Sequence, residues 1–347
     1  MISKEFQAIL DTARMPYGGA ILRVALAGGF AWQGASGPFG ARPARAIRPE
    51  DSFRTASVTK TFTTALVLRL CERGALDLAQ PVLALLPAEI GKGWLDPAIT
   101  VEQLVNHSSG LPDYAKSAPF VSRVFAQPAH QWQAGELLEI ARGLGPPLFA
   151  PGTGQQYSDT GYVLLALLLA ELTGSPLASL YQEIICRPLG MAATWLEGET
   201  PAAQAVPLSH PYASDGTDTR NFNPSFDTWG GGGLVSTAHD LGVFAAALFG
   251  GSFFERPATL ERMQRIPGAA LHPERYEAAG CYRINAGPHT FWGHFGHWGA
   301  FMLHEQQLGL TVSGTLNCAL GPDSRRVLPA RLHLQRLATL ADQYSKD

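Results

Sequence analysis

The sequence predicts an α+β fold in which one sheet is assembled from both ends of the chain around a largely helical insertion. Strand-like segments gather near the N-terminus and again after residue 279. The stretch between, from Asp77 to about Asn221, is rich in Leu, Ala and Pro, with helical spacing and long loops. Two helices are legible from their patterning alone, over 57–72 and 162–173, the second apolar almost all round. Strands at both ends with helices between them place an α/β lobe at about 1–76 and 222–347 and a helical lobe at about 77–221, within a single domain of 1–347.

Taken in order, Met1 to Arg14 reads as a short amphipathic helix. Ala20 to Trp32 alternates loosely with glycines and β-branched residues, and the turn signal Gly37-Pro38 follows it, so a hairpin is expected there. Ser57 to Glu72 is a strong helix closed by Arg73-Gly74. Tyr162 to Thr173 should be a buried helix ending at Gly174. After the Gly230 to Gly233 run comes a helix over Ala238 to Phe249. Strands are expected at Ala279 to Asn285, Thr290 to Gly293, Ala300 to His304 and Leu308 to Thr315, and Arg325 to Tyr344 returns to helical spacing.

Composition excludes several functions. A net charge of −3 over 347 residues leaves no basic footprint for nucleic acid. The N-terminal helix lacks the apolar run and small-residue cleavage site of a secretory signal, and the longest apolar run, Val163 to Ala170, is too short to span a bilayer. A cytoplasmic protein without a membrane partner is the expectation. Cys71, Cys186, Cys281 and Cys318 are scattered, as buried free thiols are. His294 and His297 have the look of a chelate, but they lie in a strand-like stretch where residues three apart face opposite ways, so no metal is expected. The Gly230 to Gly233 run is followed by no Gly-Lys-Ser/Thr, and no cofactor is expected.

The chemistry-bearing motif is Ser57-Val58-Thr59-Lys60. A hydroxyl and an amine three residues apart share one helix face. A serine hydroxyl is a weak nucleophile until an adjacent group takes its proton, and lysine serves only where its surroundings favour the neutral amine. Ser57 is also suited to a helix start, and Lys60 to a solvated helix face.

Around that motif the chain resembles the serine β-lactamase-like superfamily, which includes class C β-lactamases, DD-peptidases, esterases and D-amino-acid amidases. The landmarks run from about Phe53 to Asn317: FRTASVTKTFT around Ser57; LVNHSSGLPDY at 104–114; PGTGQQYSDTGYVLLALLLAELTG at 151–174; CRPLGMAATW; GGGLVSTAHDL; and GHFGHWGAF at 293–301. The resemblance implies an antiparallel sheet flanked by helices, a mostly helical lobe, and a site between them. It implies Ser57 as the residue that forms an acyl-enzyme, Lys60 as its proton acceptor, and Tyr157 as a partner in acid and base duty. Tyr157 also has the alternative of a packing tyrosine.

Asp159 departs from the asparagine usual in that family; a carboxylate accepts hydrogen bonds but donates none, and it would hold Lys60's proton in place. His294 and Gly296 match the His-x-Gly form of the third element, where glycine would let backbone approach substrate. The N–H groups of His297 and Ser57 would form the oxyanion hole. Trp298, Trp229 and Tyr114 are either pocket-lining or core aromatics. Arg220 or Arg283 could supply the cation that His294 does not.

Three readings fit. The first is a hydrolase of a small-molecule ester or amide, including a β-lactam or D-amino-acid peptide bond. The second is a transacylase using the same acyl-enzyme, and the third a non-catalytic binding or sensor protein. No Gly-x-Ser-x-Gly elbow occurs, which argues against a different serine hydrolase fold. Oligomeric state is left open.

Overall fold

The computed structural model describes residues 2–41, 44–87, 89–199, 206–267, 276–319 and 324–346. The first helix, α1 (Ile2–Ala13), buries Phe6, Ile9, Leu10 and Ala13, one stripe at helical spacing. β1 (Ala20–Leu26) and β2 (Ala31–Ser36) make the expected antiparallel hairpin. Its turn lies at 27–30, not at Gly37-Pro38. Gly29 takes φ 96° there and donates its N–H to Leu26 O at 3.1 Å, a conformation that favours glycine. Pro38 instead bridges to Ala46 in the following loop.

Three short strands, β3 (Phe53–Arg54), β4 (Trp195–Leu196) and β5 (Leu234–Ser236), form a small sheet in the order β3-β5-β4. β4 comes from inside the stretch expected to be helical. The remaining strands are β6 (Tyr276–Glu277), β7 (Tyr282–Ala286), β8 (His289–Phe295), β9 (Phe301–Glu305) and β10 (Leu310–Thr315). They complete a seven-stranded sheet in the order β2-β1-β10-β9-β8-β7-β6, every neighbouring pair antiparallel. The N-terminal hairpin thus joins the C-terminal strands through β1 and β10, with Val24 opposite Val312.

The helices after α1 are α2 (Thr59–Glu72), α3 (Val101–Val105), α4 (Ala118–Ala126), α5 (Ala134–Gly143), α6 (Asp159–Thr173), α7 (Leu177–Tyr181), α8 (Ala238–Phe249), α9 (Pro257–Met263), α10 (Ser324–Arg331) and α11 (Leu334–Lys346). The stretch expected as one helix from Arg325 is two, broken where His333 takes φ 48°. Strand alternation divides the interior into two cores. Leu22, Val24, Phe301 and Leu303 point to the side of α1 and α11. Ile21 and Met302 point to the side of α2, α6 and α8. The main sheet is covered on both faces, and α2 and α6 run through the larger core.

Residues of α2 from Thr59 to Leu68 are all buried, and α6 is nearly as deeply buried and more apolar, ending at Gly174 with φ 64° as its pattern foretold. Among the described residues no single helix is long and apolar enough to cross a membrane. β9 carries one titratable group into the core. His304 is 4% exposed, its Nδ1 shares a hydrogen bond of 3.0 Å with Thr311 Oγ1, and burial lowers its pKa to about 4.

Candidate active site

β3 delivers the chain to Ser57 along a fixed path. Arg54 is buried, donates from Nε to Glu197 at 2.7 Å, and holds the carbonyl of Thr219 at 2.8 Å. Thr55 donates both its N–H and its Oγ1 to Leu234 O, each at 2.8 Å. The backbone then turns sharply: Ala56 takes φ 45°, a left-handed value that alanine seldom adopts. Ser57 lies in the 3₁₀ turn Ala56–Val58 that leads into α2, so the helix proper starts two residues later than the sequence suggested. It is the one residue from 51 to 60 that is not buried.

Lys60, in the first turn of α2, is 0% exposed. Its Nζ donates to Ser57 Oγ at 3.2 Å, to Gly231 O at 2.7 Å, and to Asp159 Oδ1 in a buried ion pair. These three contacts use all three N–H donors of an ammonium. Gly231 has a steric reason to be glycine here: a Cβ would meet Asp159 Oδ1 at 2.7 Å and Lys60 Nζ at 3.2 Å. Asp159 opens α6, where the unpaired N–H groups of a helix start favour an anion. Its own N–H donates to Asp113 Oδ1 at 3.1 Å. Asp113 in turn caps the turn Tyr114–Lys116 and pairs with Lys116 Nζ at 3.0 Å. Burial, then the charge of Asp159, pushes the Asp113 carboxyl up from its ordinary value.

Tyr157 precedes α6 and is 6% exposed. Lys60 Nζ lies 4.9 Å from its ring centroid, and Lys116 Nζ lies at 4.9 Å as well. His294, at the end of β8, is 6.4 Å from the same ring by centroids and donates Nδ1–H to Phe295 O at 2.8 Å. That bond fixes the imidazole tautomer, leaving Nε2 as the acceptor of a neutral ring.

β8 stops at Phe295, so His297 is not on the strand but in the turn after it, and the opposite-face argument against a shared metal does not apply to this pair. The chelate has no other support: among the described residues no group of three or more His, Cys, Asp or Glu could hold a metal. His297 is exposed at the surface yet hemmed in by protein, and desolvation lowers its pKa. Gly296 serves a packing need. A Cβ there would fall 2.1 Å from Thr55 O, so the end of β8 lies directly against the approach to Ser57. Trp298 is 5% exposed and packs with Ala56, Ala319 and Phe226, so it is a core aromatic buttressing the Ser57 turn. Tyr114 is buried and stacks edge-on against Phe120. Trp229 is half-buried against the larger core.

The structure therefore brings Ser57, Lys60, Tyr157, Asp159 and His294 into one cluster, with Gly296 and Trp298 packed against the segment that carries Ser57 and His297 in the turn between them. Sequence reasoning had not singled out Asp113, Lys116 or Asp227. Nothing in their spacing marks them, since each arrives on a loop. Lys116 is a cation close to the site, whereas Arg220 lines a surface hollow with Phe39, His210 and Asp218. Asp227 stands against Gly232, where a Cβ would fall 2.1 Å from its Oδ1. Desolvation pushes its pKa up to about 7; the charge of Lys60 opposes this shift and that of Asp159 adds to it.

Asp227 and His304 bear on stability in opposite senses. The folded Asp227 keeps a proton that the unfolded chain, with its pKa of 3.8, releases, so this group favours folding less as pH rises from about 4 to 7. The folded His304 refuses a proton that the unfolded chain takes up below 6.5, so stability falls as pH drops from 6.5 towards 4. The Asp227 shift is worth about 4 kcal/mol and the His304 shift about 3 kcal/mol, and they largely offset one another over most of that window. Urea melts between pH 4 and 7 should find His304→Asn gaining stability on acidification relative to wild type, and Asp227→Asn losing it. Equal pH slopes in all three proteins would show that neither group carries its shift.

A family model described as Beta-lactamase matches residues 9–336. The chain is 29% identical over 229 residues to the D-alanyl-D-alanine-carboxypeptidase/endopeptidase AmpH of Escherichia coli (strain K12), covering 65% of this chain and 56% of that protein. It is 30% identical over 250 residues to the esterase EstB of Burkholderia gladioli, covering 64% and 63%. The match thus spans less than two thirds of either relative. Among solved structures, the D-amino acid amidase from Ochrobactrum anthropi SV3, complexed with L-phenylalanine amide, superposes with a TM-score of 0.84 at 25% identity and full coverage of both chains. A D-stereospecific amidohydrolase from Streptomyces sp. gives 0.80 at 26%, covering 94% of this chain and 98% of that one. With the family match running over nearly the whole length, and the fold agreeing, this chain belongs to the beta-lactamase family.

Proposed function

We propose that this chain is a serine hydrolase that cleaves an ester or amide through a covalent acyl-enzyme on Ser57. The observation that carries the reading is the contact of Lys60 Nζ with Ser57 Oγ at 3.2 Å, made on the one residue of that stretch that is not buried. In the mechanism this supports, Ser57 Oγ attacks the substrate carbonyl carbon and its proton passes into the Lys60–Tyr157 pair. That proton leaves on the departing alcohol or amine, and water repeats the sequence to release the acid.

The identity of the base follows from hydrogen-bond accounting. An ammonium that already donates all three protons, one of them to Asp159, cannot accept another. Lys60 Nζ and Lys116 Nζ each lie 4.9 Å from the Tyr157 ring centroid, and nearby cations in general favour the charged form of an acid. Base duty therefore falls on Tyr157: Lys60 takes the Ser57 proton only as it passes one of its own to the Tyr157 oxygen, giving up one of its three resting hydrogen bonds to do so. The N–H groups of Ser57 and His297, on two segments brought together where Gly296 meets Thr55, serve as the oxyanion donors.

The charge around the site supports a substrate class. Asp113, Asp159 and Asp227 gather about Lys60 and Lys116. His294 is a histidine where the resemblance to other family members expects a lysine, so no ammonium stands at that position for a substrate carboxylate. Uncharged esters and amine-bearing amides fit this balance better than carboxylate-bearing β-lactams, and the likeness to a D-amino acid amidase supports including D-amino-acid amides. A panel of short-chain p-nitrophenyl esters, a chromogenic cephalosporin and D-amino-acid amides tests this. A charged hydrogen bond forgone is worth about tenfold or more, so kcat/KM for the best uncharged ester or amide should exceed that for the cephalosporin by at least that factor. His294→Lys with Asp159→Asn should narrow the gap. A cephalosporin hydrolysed faster than every other compound would sink the substrate assignment.

A further inference from the structure

We infer that His107 is a positioning residue for Tyr157, with Glu277 behind it; this rests on the reading of Tyr157 as the base. Tyr157 lies in a segment, residues 154–158, that belongs to no helix or strand, so no ladder of backbone hydrogen bonds places it. His107 supplies what the ladder does not. Its carbonyl accepts the N–H of Gln156 at 2.9 Å, and its Nδ1 accepts the N–H of Ser158 at 3.2 Å. The backbone is therefore tied on both sides of Tyr157 to one residue. The imidazole also stacks on the Tyr157 ring, 4.4 Å between centroids and 28° between planes.

The other ring nitrogen has a partner of its own. Because Nδ1 accepts, the proton of a neutral imidazole is on Nε2, and Nε2 faces Glu277 Oε1 at 3.7 Å. That is too long for a direct hydrogen bond but short enough for attraction between the N–H dipole and a carboxylate. Both side chains are buried, at 1% and 6% exposure. Gln155 fastens the assembly, donating Nε2 to Asn106 O at 2.9 Å and to Glu277 O at 3.0 Å. His107 holds this place with φ 61°, a left-handed conformation uncommon for a residue with a side chain. Such outliers persist where the surroundings over-determine them, often at functional sites. Loops some fifty residues apart thus meet around Tyr157, whose buried ring lies 4.9 Å from Lys60 Nζ.

A double-mutant cycle tests this in the full chain, with kcat read per Ser57 titrated by a fluorophosphonate. His107→Phe keeps a flat ring for the stack and removes the Nδ1 acceptor. His107→Asn restores an acceptor near Nδ1 and tolerates the left-handed backbone. The expected result is a fall in kcat of about tenfold or more for His107→Phe, a KM nearly unchanged, and partial recovery in His107→Asn, the scale set by misplacing a general acid–base group. The acidic limb of the kcat–pH profile, where the base gains its proton, should move with it. That limb reports Tyr157 among Lys60, Lys116, Asp159, His294 and the His107–Glu277 pair. In a Tyr157→Phe background, His107→Phe should cost almost nothing further.

If His107→Phe lowers kcat equally with and without the Tyr157 hydroxyl, the positioning role is wrong while the base assignment stands. A fully active Tyr157→Phe would overturn both. Should His107→Phe fail to fold, Glu277→Gln and His107→Asn complete the same cycle, and a loss that tracks only the titratable fraction of Ser57 would reduce His107 to a structural residue.

Discussion

Ser57→Ala should abolish both fluorophosphonate labelling and turnover, with little change in melting temperature. Removing a covalent nucleophile from a unit of this kind lowers kcat by on the order of 10⁶-fold, leaving what binding and oxyanion donors supply. Stability should hold because Ser57 is not buried and its Oγ accepts a hydrogen bond from Lys60, an ammonium that keeps Asp159 and Gly231 O as partners after the change. Neighbouring serines offer a sharp control. Ser108, Ser109 and Ser158 are 5%, 3% and 2% exposed. Ser108 Oγ is bonded to Asn106 at 2.7 Å and Ser158 Oγ to Pro112 O at 3.2 Å. Peptide mapping should find the adduct on the peptide containing Ser57; an adduct on any of the other three would move the site.

How far the sequence could be read depended on whether the signal was local. α6 and α8 were legible because each is apolar around most of its surface, α2 because of its helical spacing, and all three because a glycine stands at or just after their ends. The hairpin was legible but its turn was not. Gly28-Gly29 and Gly37-Pro38 are both turn signals, and the weak alternation between them cannot decide which one closes a ladder. β4 and β6, two residues each, are too short to show a period at all.

The same division holds at the site. Ser57 and Lys60 are three residues apart, so one turn of helix brings them together, whereas Tyr157 and Asp159 could be placed only through resemblance to a family. His107, Lys116 and Asp227 were hidden because their closeness to Tyr157 and Lys60 is created by loops packing across the fold. Gly296 was visible, but its packing contact was not. Its bare Cα faces Thr55 O, a contact between segments that no one-dimensional pattern records.

Lys60→Ala and Tyr157→Phe should each lower kcat by at least about 10²-fold, the usual scale for general acid–base groups, and the double mutant should be little worse than either alone. The reason is that the two share one proton path: Lys60 Nζ touches Ser57 Oγ at 3.2 Å and stands 4.9 Å from the Tyr157 ring, so removing either member disables the other. Lys60 has a second role that must be kept apart from this one. Removing it strands the carboxylate of Asp159, 13% exposed, without its counterion, and breaking a buried ion pair in this way costs about 3–5 kcal/mol. Asp159→Asn in the Lys60→Ala background should therefore recover most of the lost stability, read as the urea midpoint, without recovering turnover. If turnover returned along with stability, Lys60 would be acting on the fold and not on the proton. Additive losses in the Lys60→Ala/Tyr157→Phe double mutant, about 10⁴-fold in all, would instead mean two independent roles and no shared path.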